Sequence, residues 1–269
     1  MKTYYRALTI AGSDSGGGAG VQADLKTFSA LGVFGMSAIT ALTAQNTHSV
    51  TGIFPVPPAF IGEQIDAVMS DIGANAVKIG MLASPENAEA VGALLASLDS
   101  VPKVLDPVMA AQSGDGLNAS STAEALVHHV MPNVTLMTPN IPEAERLAGL
   151  SVTSLDGMEE AARRLVAMGC ANVLLKGGHF SGDACPDLLL EGATGRVTRF
   201  TAPRIDTRNN HGTGCTLASA LAAFLARGYS LPEAASRAKD YITGALKGAV
   251  SQHLGKGHGP LEHFHDRRS

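Results

Sequence analysis

Short apolar segments alternate with helical segments along most of the chain, and this alternation restricts the possible folds more than any other feature. The apolar segments are nearly continuous, which is typical of strands buried on both faces of a sheet. They cover residues 7–11, 76–81, 104–106, 134–138 and 173–177. Helical patterns lie roughly over residues 21–31, 58–70, 85–98, 121–129, 142–148 and 155–168. The order predicts an α/β fold with a doubly wound, mainly parallel sheet flanked by helices.

The pattern changes after Lys176. Two β-like segments follow, over residues 187–190 and 196–201, and two helices are predicted to begin at about Gly214 and about Pro232. No repeat, linker or low-complexity stretch divides the sequence. Its 269 residues, with 45% hydrophobic content, are enough to bury a large core. We therefore predict a single domain over residues 1–269.

The charge pattern excludes several classes of partner. Twenty Lys and Arg against 24 Asp and Glu give a formal net charge of -4, with no basic block to follow a phosphate backbone, so nucleic acid is not an expected partner. No apolar run reaches the roughly 20 residues of a membrane span, and the first residues lack a cleavage pattern, so we expect a cytoplasmic protein without a membrane partner. The three cysteines form no CxxC pair.

Two glycine-rich loops suggest phosphate binding, although neither matches a common template. No GxxxxGK[ST] string occurs, and the pair Gly212 and Gly214 lacks the third glycine of a dinucleotide fingerprint. These two glycines would let the backbone turn tightly before a helix, whose free N–H groups and positive dipole end favour an anion. A tight turn that packs the helix against the sheet explains the same residues equally well.

Cys215 follows this corner, at the start of the predicted helix. A thiol at a helix N-terminus is expected to have a lowered pKa and to accept a proton readily. The alternative is a small apolar residue that fills space at the helix start.

The corner resembles the anion hole of the ribokinase-like superfamily of small-molecule kinases, in which a GAGD element ends in a catalytic Asp. Cysteine in place of Asp is typical of the vitamin-kinase branch, which includes the hydroxymethylpyrimidine/phosphomethylpyrimidine kinases of thiamine synthesis and some pyridoxal kinases. Further strings resemble the thiamine enzymes. They are AGSDSGGGAGVQADLKT at 11–27, ALTAQNT at 41–47, KIGM at 78–81, LDPVM at 105–109, TPNIPEA at 138–144, LKGGH at 175–179 and GKGHGP at 255–260. The strings are collinear and span nearly the whole chain.

The resemblance implies a set of substrate-binding residues. Gln45 is similar to a glutamine whose amide pairs with a ring nitrogen and the adjacent amino group of an aminopyrimidine. Gly12 and Ala19 would line the same pocket, with Asp24 close behind them. Without the resemblance, Gln45 is better explained as a polar residue at a strand end that faces water. The alternative for Asp24 is a solvated acid in the first turn of a helix.

The resemblance also implies a metal and phosphate site. Asn140 and Glu143 match an NxxE element that holds Mg²⁺, largely through water, near the phosphates of ATP, and Asp106 is a further acidic candidate. Asn140 and Glu143 also have the spacing of a helix capping box, and both interpretations can hold together. Lys176, at a strand end, would neutralise phosphate charge, and Cys215 would accept the proton of the substrate hydroxyl.

The predicted activity is the Mg²⁺- and ATP-dependent phosphorylation of 4-amino-5-hydroxymethyl-2-methylpyrimidine, and then of its monophosphate to the diphosphate. Pyridoxal kinase is the nearest alternative. Thiol-using members of that group carry a second cysteine after the DPVM-like strand end, where this chain has Ala110, Ala111 and Gln112. A non-catalytic pyrimidine-binding regulator is a third possibility, which the intact phosphate site disfavours. A homodimer is expected, although no sequence pattern determines it.

Three histidines near the C-terminus, His258, His263 and His265, could suggest a metal site. They lack paired cysteines and the HxxxH spacing of a helical zinc site. We therefore interpret them as surface residues of the tail.

Overall fold

The computed structural model describes residues 3–98, 100–108, 116–180 and 182–267. Side chains of residues 116–119 are not part of the description. The comparison with pyridoxal kinases at residues 110–112 therefore lies outside the described residues.

Strands and helices alternate through most of the chain. The strands are β1 (Arg6–Asp14), β2 (Phe34–Gln45), β3 (Val50–Pro55), β4 (Ala76–Ile79), β5 (Lys103–Leu105), β6 (Leu136–Met137), β7 (Asn172–Lys176), β8 (Ala184–Glu191) and β9 (Arg196–Pro203). The helices are α1 (Gly20–Ala30), α2 (Pro58–Asp71), α3 (Pro85–Ala96), α4 (Gly116–Ala125), α5 (Ile141–Ala148), α6 (Leu155–Ala167), α7 (Thr213–Ala226) and α8 (Leu231–Ala249). A π-helical turn, Leu126–Val130, extends α4.

Within the described residues, the nine strands form one sheet in the order β3-β2-β1-β4-β5-β6-β7-β8-β9. The six strands from β2 to β7 in this order run parallel, whereas β3, β8 and β9 pair antiparallel at the two edges. Chain order reverses at β1, which lies between β2 and β4. In such sheets ligands bind beyond the carboxyl ends of the strands, near the point of reversal.

Both faces of the sheet are covered, which explains the continuous apolar character of its central strands. Neighbouring residues of one strand point to opposite faces. Ala76 and Val104 pack in the cluster formed with α1, α7 and α8, whereas Val77 and Leu105 pack in the cluster formed with α2, α3, α5 and α6. The predicted doubly wound, mainly parallel arrangement is confirmed.

The strands β2 and β3 were not predicted. The sequence of β2 is rich in small residues, and its burial alternates before Ala41, so it contains no continuous apolar run. The neighbouring strand β3 lies at the sheet edge and has no fully buried residue. The prediction relied on runs buried on both faces, and neither of these strands has that environment. The predicted helix 121–129 also begins earlier, at Gly116, and ends in the π-helical turn.

A buried ion pair joins α1 to the centre of the sheet. The ammonium of Lys78 in β4 lies 2.9 Å from Asp24 Oδ2, and both side chains are fully buried. Thr9 donates to Asp24 Oδ2 at 2.6 Å and Ser219 of α7 donates to Asp24 Oδ1 at 2.6 Å. Burial opposes the charge of Lys78, but Asp24 raises the pKa of Lys78 above its ordinary value. Asp24 therefore holds β1, β4 and α7 together.

We expect Lys78→Ala to destabilise the protein by about 3–5 kcal/mol, because the charge of Asp24 would remain buried without its partner. Arg163→Ala is a suitable control, since it removes an exposed ion pair with Glu159 and should change stability by at most about 1 kcal/mol. Urea unfolding of both variants measures the difference. Equal losses in the two variants would show that the buried pair contributes no more than a surface one.

Candidate active site

The first glycine-rich loop is held by one buried carboxylate. Asp14, at the end of β1, accepts hydrogen bonds from the backbone N–H groups of Gly16, Gly18 and Ala19 at 2.7, 3.0 and 2.8 Å. Burial alone would raise the pKa of Asp14, but the hydrogen bonds from His211 and from these amides lower it below its ordinary value. Asp14 is therefore an ionised acceptor, and it fixes the loop that contains Ala19.

The second glycine corner packs directly against the first loop. Gly212 has φ 84°, a left-handed conformation that favours glycine, and it is the N-cap of α7. A Cβ at Gly212 would overlap the carbonyl oxygen of Gly18. The sequence pattern of two glycines at this corner is thus explained by backbone conformation and by close approach. No side chain caps the first turn of α7, whose N–H groups and dipole favour a bound anion.

The two loops enclose a cavity of about 540 Å³. It lies at the carboxyl ends of β1 and β2 and at the N-terminus of α7. Several predicted site residues line it together, namely Gly12, Ala19, Gln45, Gly212, Gly214 and Cys215. Lys78 and Met81 from the end of β4 complete its floor, and neither was predicted as a site residue. The volume is within the range of pockets for small organic ligands.

Cys215 is half-buried in the first turn of α7 and lines the cavity. Burial raises the pKa of its thiol to about 11, although Lys78 and the backbone N–H of Gly20 oppose this shift. The prediction of a lowered pKa was therefore wrong. Its reason was the helix N-terminus alone, whereas here the loss of water and the nearby carboxylates of Asp24 and Asp106 outweigh the favourable charges.

A cluster of opposite charges lies beside the glycine corner. Lys176 Nζ is 2.9 Å from Asp106 Oδ1 and 3.9 Å from Glu143 Oε2. A Cβ at Gly214 would lie 3.2 Å from Asp106 Oδ2 and 3.4 Å from Lys176 Nζ, so the backbone of Gly214 passes close to both groups. Burial lowers the pKa of Lys176, but the two carboxylates outweigh this and raise it above its ordinary value. Lys176 thus keeps its positive charge.

Asn140 and Glu143 form the predicted capping box of α5. The side chain of Asn140 accepts from the N–H of Glu143 at 2.9 Å, and Glu143 Oε2 accepts from the N–H of Asn140 at 2.7 Å. Burial raises the pKa of Glu143 to about 7, with Lys176 opposing the shift and Asp106 adding to it. An additional cation near Asp106 and Glu143 would favour the ionised form of Glu143. Carboxylate and amide oxygens of this kind are the groups that a hard cation such as Mg²⁺ prefers.

Asp24 does not line the cavity. Its side chain is fully buried behind the cavity floor, where Thr9, Lys78 and Ser219 occupy both carboxylate oxygens. The structure therefore corrects the prediction that Asp24 binds substrate. The prediction rested on the family resemblance, whereas here α1 directs the side chain toward Thr9, Lys78 and Ser219.

The histidines near the C-terminus are not all surface residues. His263 is buried, lies 3.1 Å from Thr216 Oγ1, and burial lowers its pKa to about 4. His258 lines the cavity, and its Nδ1 lies 3.1 Å from Asn210 Oδ1. The interpretation as tail surface was wrong for His263, because the tail returns over α7 and pairs beside His211, whereas His258 is exposed and His265 is partly buried.

His211 is a cavity residue that the sequence analysis did not single out. Its Nε2 lies 3.0 Å from Asp14 Oδ2 and 3.2 Å from Gln45 Nε2. Its position in the sequence, directly before Gly212, was the available signal. A histidine next to a glycine corner has many explanations, and the contact with Asp14 spans 197 residues.

In the part of the chain that the structure describes, no helix is long and apolar enough to cross a membrane. The same residues contain no group of three or more His, Cys, Asp or Glu side chains placed to hold a metal ion directly.

The fold and the site define a kinase of the ribokinase-like class. Staphylococcus aureus pyridoxal kinase, solved in complex with AMP-PCP and pyridoxal, superposes with a TM-score of 0.89 and 34% sequence identity, over 99% of this chain and 96% of that one. The predicted fold class is confirmed.

The chain belongs to the phosphomethylpyrimidine kinase family, whose sequence pattern matches residues 14–262. A hydroxymethylpyrimidine/phosphomethylpyrimidine kinase of Rhizobium meliloti is 47% identical over 96% of this chain and 97% of its own. A thiamine biosynthesis bifunctional protein of Geobacter sulfurreducens is 52% identical over 96% of this chain, which spans 52% of that longer protein. The resemblance read from the sequence motifs is confirmed.

Thiol alkylation tests the environment of Cys215. Because its pKa is raised to about 11, we expect the alkylation rate by iodoacetamide to increase by about tenfold per pH unit from pH 7 to 10, without a plateau. Subtracting the rate of Cys215→Ala removes the contributions of Cys170 and Cys185. A plateau below pH 9 would mean that the helix N-terminus and Lys78 outweigh burial.

Proposed function

We propose that this protein transfers the γ-phosphoryl group of ATP to the hydroxymethyl group of 4-amino-5-hydroxymethyl-2-methylpyrimidine, and then phosphorylates the monophosphate to the diphosphate. One observation carries the proposal: Gln45 and the glycine corner with Cys215 line the same cavity. An amide that can read an aminopyrimidine edge thus faces the helix N-terminus that can hold a phosphate. The relatives named hydroxymethylpyrimidine/phosphomethylpyrimidine kinase support this substrate.

The substrate pocket is proposed to lie between Gln45 and Cys215. Gly12 and Ala19 would contact the pyrimidine ring through the backbone, since both line the cavity without a long side chain. The ring's amino group and adjacent nitrogen would pair with the amide of Gln45. This placement directs the hydroxymethyl group toward Gly214 and Cys215.

Phosphoryl transfer requires mainly alignment and stabilisation of spreading negative charge. We propose that the N–H groups from Gly212 to Cys215 and the ammonium of Lys176 provide this stabilisation at the transferred phosphoryl group. Asp106 would keep Lys176 oriented through the 2.9 Å contact. Mg²⁺, held by Asp106, Glu143 and Asn140 partly through water, would supply further positive charge at the phosphates.

Cys215 is proposed to accept the proton of the substrate hydroxyl. With a pKa of about 11, its thiol is protonated at neutral pH in the free protein. The reactive fraction is therefore small and rises about tenfold per pH unit. The cations that accompany the nucleotide phosphates would increase this fraction.

Two further features of the proposal are assembly and location. We propose a homodimer that works in the cytoplasm, where ATP is available. Small-molecule substrates, rather than nucleic acid or membrane, are its expected partners. The formal net charge of -4 provides no excess of positive charge to attract a phosphate backbone.

A pyridoxal kinase activity is the second candidate, because structures with that name share the fold at 33–35% identity. Steady-state kinetics with Mg²⁺-ATP distinguish the two. We expect kcat/KM for hydroxymethylpyrimidine to exceed that for pyridoxal by more than about tenfold, because the amide of Gln45 would lose a partner on the pyridoxal ring. A higher kcat/KM for pyridoxal would replace the proposed function.

Gln45→Ala should raise the KM for the aminopyrimidine by the equivalent of about 2–4 kcal/mol, since two buried hydrogen bonds would be lost. The KM for ATP should remain at the parent value, which serves as the internal control. An unchanged KM for the aminopyrimidine would remove Gln45 from the substrate site.

Glu143→Gln separates the metal role from the capping role. Glutamine preserves the capping box of α5 but removes the negative charge. We expect the Mg²⁺ concentration for half-maximal activity to rise, while aminopyrimidine binding in the absence of nucleotide stays unchanged. A Mg²⁺ dependence identical to that of the parent would leave only the capping role.

A further inference from the structure

The carboxamide of Gln45 lies between two side chains that determine its orientation. Its Nε2 is placed 3.2 Å from His211 Nε2, and its Oε1 is placed 3.1 Å from Thr43 Oγ1. Nitrogen and oxygen of an amide have nearly the same size and shape, so their assignment follows from the hydrogen bonds around them. The neighbours of Gln45 permit only one assignment, and this orientation bears on substrate selection.

His211 presents a donor to Gln45. Asp14 Oδ2 lies 3.0 Å from His211 Nε2, and the carboxylate of Asp14 is ionised, so it can only accept. The proton of the imidazole must therefore be on Nε2. Nε2 carries a single hydrogen, which Asp14 and Gln45 would share in a three-centre hydrogen bond. Because a protonated Nε2 cannot accept from an amide N–H, the Gln45 atom beside it is the carbonyl oxygen.

Thr43 presents an acceptor to the other side of the amide. Its hydroxyl donates its single hydrogen to the carbonyl oxygen of Ser13 at 2.8 Å. The oxygen of Thr43 can then only accept from Gln45, so the Gln45 atom beside it must be the amide nitrogen. The parallel register pairs Asp14 with Thr43, and Gln45 follows two residues later on the same side of β2. Both neighbours thus require the same orientation.

This orientation leaves one edge of the amide available. Within the described chain, the remaining N–H and the remaining lone pair of Gln45 Oε1 have no protein partner, and Gln45 lines the cavity. In the proposed pose the hydroxymethyl group points toward Cys215, so the neighbouring amino group of the ring lies on the His211 side, opposite the carbonyl oxygen of Gln45, and the ring nitrogen lies opposite the free N–H. A 4-oxopyrimidine has the opposite pattern, with a ring N–H beside a carbonyl oxygen, and would require the reversed amide.

We propose that His211, fixed by Asp14, is a specificity-determining positioning residue that, with Thr43, holds the Gln45 amide in the orientation selective for 4-aminopyrimidines over 4-oxopyrimidines. This inference rests on the proposed function of Gln45. His211 acts through Gln45 and has no assigned contact with the substrate.

The test is isothermal titration calorimetry without nucleotide, with 4-amino-5-hydroxymethyl-2-methylpyrimidine and its 4-oxo counterpart as probes. We expect the parent to bind the 4-amino compound at least about tenfold more tightly. His211→Phe keeps an aromatic ring but removes the donor, and we expect it to reduce this ratio severalfold. Thr43→Val removes the acceptor from the opposite side and should reduce the ratio in the same direction.

Two further variants separate orientation from general disturbance. His211→Gln retains an N–H donor and should restore most of the parent ratio. His253→Ala removes an exposed histidine that does not line the cavity, so it should leave the ratio unchanged. If thermal unfolding shows that His211→Phe does not fold, the affinity ratio of Thr43→Val alone tests the inference.

The possible failures are distinguishable. If His211→Phe and Thr43→Val keep the parent ratio, or if they weaken both compounds equally, the inference is wrong while the proposed function stands. If the parent binds neither compound, or if Gln45→Ala binds the 4-amino compound as tightly as the parent, the proposed role of Gln45 is wrong and the inference falls with it.

Discussion

The carboxylate of Asp24 connects the elements that carry the candidate active site. It lies on α1, directly after the first glycine-rich loop, and accepts hydrogen bonds from β1, β4 and α7 through Thr9, Lys78 and Ser219. The glycine loop, the cavity floor and the helix N-terminus are therefore fixed relative to one another by one fully buried group. A buried ion pair adds little net stability, but loss of one partner would leave an unpaired buried charge. The pair between Asp24 and Lys78 therefore favours one relative position of α1, the sheet and α7.

A second set of charged residues, Asp106, Glu143 and Lys176, lies beside the glycine corner. Asp106 and Glu143 surround the ammonium of Lys176, and Cys215 lies in the same electrostatic environment. Two carboxylates raise the basicity of Lys176, and burial moves Glu143 and Cys215 toward their neutral forms. A bound phosphate and its cation would shift the pKa of each of these three groups. The site is thus arranged for a ligand that brings both charges.

Hydrogen bonds of Asp14 connect the first glycine loop to the glycine corner at the cavity. Asp14 fixes the first glycine loop and the imidazole of His211, and the imidazole contacts Gln45. The anion corner and the amide proposed to read the pyrimidine are therefore coupled through one carboxylate. Under the proposed function, this arrangement would link recognition of the substrate ring to the position of the loop on which Ala19 lies.

The sequence by itself determined the doubly wound fold, because central parallel strands need apolar residues on both faces, and it determined the family through collinear glycine, lysine and NxxE motifs. It did not reveal β2 and β3, whose partly exposed faces leave no apolar run. Only the tertiary structure decided that Asp24 is buried, that Cys215 has a raised pKa, and that His211 orients toward Asp14 and Gln45. Burial and charge depend on contacts such as that between Asp14 and His211, which are 197 positions apart in the chain, and a local pattern carries no information about such contacts.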